Sequence, residues 1–129
     1  MNITIGATLT GGSSVALSPA GNIQGKSTFV TPDHARLTPH TVEFTASGGT
    51  PSGDNPGVAR TGMKITFADR QTAEGCCTVA AGAVILDLGV RWSLNQPTTL
   101  VDDVVSYLRG IVYTTAFVDA IKKGVLPTS

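Results

Sequence analysis

Three segments of alternating hydrophobicity, followed by an abrupt change to a helical period, constrain this chain more than any other feature. In HTVEFTAS, residues 40–47, Val42, Phe44 and Ala46 fall on one face and Thr41, Glu43, Thr45 and Ser47 on the other. RTGMKITFAD, residues 60–69, sets Met63, Ile65 and Phe67 against Lys64, Thr66 and Ala68. AVILDLGVRWSLN, residues 83–95, sets Val84, Leu86, Leu88, Val90 and Trp92 against Ile85, Asp87, Gly89, Arg91 and Ser93. Side chains alternate across a strand, so each segment predicts a β-strand with one apolar and one mixed polar face. GGTPSGDNPG, residues 48–57, is dense in turn formers and connects the first two. The three strands therefore form an antiparallel meander, the sheet type that can keep one face polar.

Ahead of this meander, ITIGATLT (3–10), Gly11-Gly12 and SSVALSP (13–19) predict a short N-terminal hairpin. Pro19, Gly21, Asn22 and Gly25 mark a loop, and KSTFVT (26–31) is a short strand stopped by Pro32.

After it the period changes. Val101, Val104, Val105, Leu108, Ile111 and Val112 recur at helical spacing. Thr98 or Thr99 is expected to cap this helix, with Asp102 and Asp103 in its first turn, where the dipole favours anions. Hydroxyl and β-branched residues at Tyr113-Thr114-Thr115 weaken it, and a second helix is expected over 115–123 with Phe117, Ala120 and Ile121 inward. Lys122, Lys123, Gly124 and Pro127 are C-terminal signals. The class is α+β, in a single domain 1–129: hairpin within 1–25, sheet within 26–95, helices within 98–124.

With Leu100, Tyr107 and Tyr113 added, the apolar surface of the long helix exceeds a third of its circumference. Such a helix suits a place between its own sheet and a partner chain. Charge agrees: nine basic and nine acidic residues cancel, and the charged fraction is only 14%. Zero net charge on so few charges favours self-association.

The chemistry a small enzyme would need is not visible. His34 and His40 lie in the Pro-bounded linker TPDHARLTPH, and no serine sits in a nucleophile-elbow context. Asp102 and Asp103 are adjacent on a helix and diverge, so they are not an acid/base pair. The glycine-rich loop has no lysine in phosphate-loop register. Two cysteines make no disulfide framework, no Cys/His spacing suggests zinc, and no cofactor is expected. The first residues lack the pattern of a signal peptide, and no apolar run approaches the ~20 residues of a membrane span. What remains is the polar sheet face: Thr41, Thr45, Ser47, Lys64, Thr66 and Arg91, with Arg60 and Arg70 at strand ends. Hydroxyls and isolated basic groups on a flat sheet suit phosphates and single-stranded bases, and they equally suit a plain solvated face.

The order of these elements, and the strings HTVEFTAS, RTGMKITF and RWSLNQPTTLVDDVVSYLRGIVYTTAFVDAIKKGVLP, resemble the coat proteins of single-stranded RNA bacteriophages of the levivirus type. The resemblance covers nearly the whole chain. It implies an N-terminal hairpin, a five-stranded antiparallel meander and two C-terminal helices, in subunits that interlock as homodimers with the helices of each over the sheet of the other. It further implies an icosahedral shell around the RNA genome, made in the bacterial host cytoplasm and found in the virion, with no membrane partner and no chemical step. Its RNA-facing positions correspond to Thr45, Ser47, Lys64 and Thr66, which Arg60 and Arg91 join on the polar face. The family's base-stacking tyrosine and the polar residue two further on fall at Ala83 and Ile85, which can neither stack nor hydrogen-bond in that way. Packaging of RNA without sequence preference is therefore the expectation, and translational repression through a replicase-start hairpin is not expected in its familiar mode. Cys76 and Cys77 fall in the loop that, in the family, surrounds the fivefold and quasi-sixfold axes. Inter-subunit disulfides formed after lysis, free thiols and a strained Cys76–Cys77 ring are the three readings open there. On residues alone, a non-viral dimeric α+β binding module is the alternative.

Overall fold

The computed structural model describes residues 1–8, 11–72 and 78–125. Seven strands precede two helices: β1 (Asn2–Thr8), β2 (Gly11–Ala16), β3 (Ser18–Ile23), β4 (Lys26–Val30), β5 (His40–Ser47), β6 (Val58–Thr72), β7 (Thr78–Ser93), α1 (Thr98–Val112) and α2 (Thr115–Lys123). β1 and β2 form a separate two-stranded hairpin, and the other strands form one antiparallel sheet in the order β3-β4-β5-β6-β7. Two compact units result, Met1–Leu94 and Asn95–Ser129.

The expected hairpin and meander are present, but the sheet begins earlier than Lys26. The segment read as a loop around Pro19, Gly21 and Asn22 is β3, paired with β4 from Ser18↔Val30 to Ile23↔Lys26. A proline is tolerated on an edge strand, and the register shift between Pro19 and Gly21 absorbs the irregularity. Gln24 and Gly25 make the two-residue turn into β4. Gly25 takes φ +77°, where a Cβ would stand 3.1 Å from the Ala46 carbonyl oxygen, which only glycine suits. Its own carbonyl accepts the Ala46 N–H at 2.9 Å, tying the turn to β5. At the hairpin base, the Leu17 N–H donates to the Met1 carbonyl at 2.7 Å.

β6 and β7 also run farther than the alternation predicts. Arg70↔Ala80, Gln71↔Val79 and Thr72↔Thr78 extend the ladder past a register shift between Ala68 and Arg70. The β-branched Val79 and Thr78 favour the extended state, so the ladder reaches Thr72 on β6 and Thr78 on β7. Cys76 and Cys77, expected in that loop, lie outside the described residues.

Register places Phe29, Val42, Ile65 and Leu86 in one line across the apolar face. Phe29 and Phe44 pack edge to face with centroids 6.0 Å apart. His40 stacks on Phe67 at 4.6 Å, its Nε2 lies 3.1 Å from the Ala68 carbonyl, and its backbone N–H donates to His34 Nδ1 at 3.1 Å. The two histidines thus hold the β4–β5 connection to the ends of β5 and β6. Among the described residues of the first unit Val42 and Leu17 are the buried hydrophobic ones, while Phe67, Val84 and Leu86 on the same face as Val42 are exposed.

In the second unit α1 starts directly after Pro97 (φ −68°, ψ 147°). The expected threonine cap does not form. Thr98 is already the first helical residue, no side chain caps the N-terminus, and Asp102 and Asp103 fall beyond the first turn. α2 is bounded as expected. The Thr114 hydroxyl donates to the Ile111 carbonyl at 2.7 Å and accepts the Phe117 N–H at 3.4 Å, ending one helix and capping the next. The axis bends by 67° there. Gly124 closes α2 in the left-handed conformation with φ +64°. No residue of either helix is buried, and Ile121, expected inward, is exposed. No single helix is long and apolar enough to cross a membrane; the bent pair passes only when taken together.

Candidate nucleic-acid interface

Thr41, Thr45, Ser47, Arg60, Lys64, Thr66 and Arg91 share one face of β5, β6 and β7, because the strands pair without a slip between residues 40 and 68. Ser47 pairs with Arg60, and Arg60 with Arg91. The next row toward the other end is Thr45, Gly62 and Gly89; then come Glu43, Lys64 and Asp87; then Thr41, Thr66 and Ile85. β4 extends the rows with Lys26 opposite Thr45 and Thr28 opposite Glu43. Every second residue of a strand faces the same way, so these rows are consecutive steps across a single surface.

Charge is not evenly spread over these rows. Lys26 Nζ lies 3.2 Å from Glu43 Oε1, and Lys64 sits between Glu43 and Asp87. Opposite charges at such positions attract by about 0.2–1 kcal/mol per pair. Arg60 and Arg91 face each other instead, and neither has an ion-pair partner among the described residues. Beside them is a shallow trough of about 740 Å³ lined by Thr45, Ser47, Arg60, Gly62, Gly89 and Arg91. Gly62 and Gly89 pair across β6 and β7 at its floor. Sequence reasoning passed over this pair of glycines, although glycine inside two neighbouring strand patterns is a visible signal of close approach by another group.

At the opposite end the face is apolar. Ala83 pairs with Ala68 and Ile85 with Thr66, and both Ala83 and Ile85 are exposed. Arg70, expected at a strand end, lies within β6 opposite Ala80. No cluster of metal-binding side chains occurs among the described residues.

Solved structures with the same arrangement cover nearly the whole chain. The virus-like particle of Wenzhou levi-like virus 4 superposes with a TM-score of 0.76 at 13% identity, covering 100% of this chain and 89% of that one. The virus-like particle of Beihai levi-like virus 21 gives 0.69 at 16% identity, covering 96% and 94%. The fold is that of levi-like phage coat proteins. The bacteriophage EMS014 coat protein shares it too, with a TM-score of 0.65 at 15% identity over 98% and 97% of the two chains. No family model and no curated protein sequence matches the chain. This coat-protein fold agrees with the resemblance drawn from residue order and spacing, and it includes the separate hairpin, the five-stranded sheet and the two helices.

Proposed function

We propose that the chain is the structural coat protein of a single-stranded RNA bacteriophage, assembling as dimers into an icosahedral shell in the host cytoplasm and residing in the virion. The observation that carries this reading is full-length agreement in fold with proteins that form virus-like particles. The surface of the chain supports it. β7, 16 residues long, is the terminal strand of its sheet, and such an edge is a template for a second copy. Phe67, Val84 and Leu86 on the apolar sheet face and most apolar residues of α1 stand exposed in the single chain, as surfaces covered in an assembly would. The polar face is the RNA-binding surface, through Thr45, Ser47, Arg60, Thr66 and Arg91, whereas Lys64 on the same face is flanked by Glu43 and Asp87; binding and assembly proceed without a catalytic step.

Expression of the chain in bacteria should give closed shells in electron micrographs, carrying nuclease-protected RNA with excess absorbance at the nucleic-acid maximum. Discrete dimers without RNA would reject the coat-protein reading in favour of a dimeric binding module.

Cys76 and Cys77 are proposed to join neighbouring dimers around the shell axes once particles leave the reducing cytoplasm. Non-reducing electrophoresis of purified shells should show ladders of subunits that collapse to monomer on reduction. Monomer bands in both lanes would remove the covalent link.

A further inference from the structure

The charged rows on the polar sheet face are not equivalent, and their arrangement assigns them different parts in holding RNA. Lys64 is the basic residue that alternation alone makes most prominent, yet its cross-strand neighbours are Glu43 and Asp87. Those two carboxylates flank it on both sides and repel a phosphate that approaches it. Lys26, the other basic group near this row, is itself paired with Glu43 at 3.2 Å.

The row Ser47–Arg60–Arg91 is the reverse case. Two arginines stand directly opposite each other on β6 and β7, an arrangement that destabilises a sheet unless something negative lies between or above the pair. No described acidic residue forms an ion pair with either. The neighbouring row adds Gly62 and Gly89, each of which weakens its strand through lost side-chain packing. Backbone geometry does not require glycine at these two positions, since neither has positive φ. At Gly89 a Cβ would meet nothing within 4 Å, so space over β7 is open there, whereas at Gly62 it would stand 2.7 Å from Thr45 Oγ1, whose side chain lies over that part of β6. The arginine pair and the open backbone at Gly89 thus lie side by side, in a trough with a cationic wall and a floor shared by the Gly89 backbone and the Thr45 side chain over Gly62.

We infer that this trough is a phosphodiester clamp: Arg60 and Arg91 hold the backbone phosphates of single-stranded RNA above the open backbone at Gly89, and Lys64 does not. Guanidinium groups suit this task because their planar donors engage phosphate oxygens in pairs. Contact to phosphates carries no base information, so the clamp binds RNA without regard to sequence. The inference rests on the proposed RNA-binding role of the face and divides labour within it.

The test is titration of a fluorescein-labelled oligouridylate with the full-length chain, freed of RNA, over a series of salt concentrations. Each phosphate contact to a single strand contributes a slope of about −0.7 in log K against log salt. Arg60→Gln and Arg91→Gln should each weaken binding several-fold and flatten the slope by about 0.7. Lys64→Gln should leave that slope unchanged, and Arg91→Lys should restore it, since lysine retains the charge. Folding of each variant is checked by circular dichroism, and Arg91→Lys serves as the folded control. If Lys64→Gln flattens the slope and the two arginine variants do not, the clamp is wrong while RNA binding by this face stands. If the unaltered chain shows no salt-dependent binding at all, the RNA-binding reading itself fails.

Discussion

A Val84→Asp chain should fold with the circular dichroism of the unaltered protein and yet form no shells. Val84 lies on the apolar face of β7, opposite Phe67, and is 74% exposed in the single chain. A carboxylate there stays hydrated while the chain is alone, and exposed substitutions usually move stability by no more than about 0.5 kcal/mol. In an assembly that covers this face the same carboxylate is stripped of water without a partner, a burial that costs several kcal/mol at every symmetry-related copy. The contact it replaces would have contributed about 1.5–3 kcal/mol through burial of a valine. The effect on assembly is therefore close to all-or-none. Sedimentation and electron microscopy read it directly, and shells at undiminished yield would show that the face stays open to solvent in the particle.

Val42→Asp makes the same chemical change on the same face, one strand beyond β6, and should have the opposite consequence. Val42 is 5% exposed within its own chain, set between Phe29 on β4 and Ile65 on β6. Its carboxylate would be buried before any partner arrives. An unpaired buried charge is among the few single changes expected to cost more than about 4 kcal/mol, against a total stability of roughly 5–15 kcal/mol for a domain. Among the described residues of the sheet no other hydrophobic side chain is as deeply buried. The variant should collect in the insoluble fraction, or lack the β-sheet signal if recovered. A soluble, folded Val42→Asp chain would mean that the core lies elsewhere. Together the two variants separate the residue that holds the chain from one that joins chains.

Much of this molecule is legible in its sequence. The period-2 runs at 40–47, 60–69 and 83–95 placed β5, β6 and β7 and assigned each residue its face, because a pleated strand leaves no other choice for alternate side chains. The change to a 3.6-residue period, the hydroxyl-rich break at Thr114 and the glycine at 124 located both helices. These are local signals, written within a few residues of where they act.

Other features depended on residues distant in sequence. β3 carries Pro19, Gly21 and Asn22 and reads as a loop; it becomes a strand only because β4 offers a partner ladder and the edge tolerates a proline. The N-terminus of α1 offers two threonines, but whether one caps depends on where the backbone enters the helix, and entry at Pro97 leaves Thr98 inside it. The six polar residues of the candidate site could be named from alternation alone. Which of them stand beside acids and which beside each other could not, since cross-strand register is set by pairing between strands. Composition determined that this chain has a polar sheet face with basic groups on it. Tertiary structure decided that Lys64 lies between two carboxylates and Arg60 lies against Arg91, because strand pairing converts distance along the chain into neighbours across a sheet.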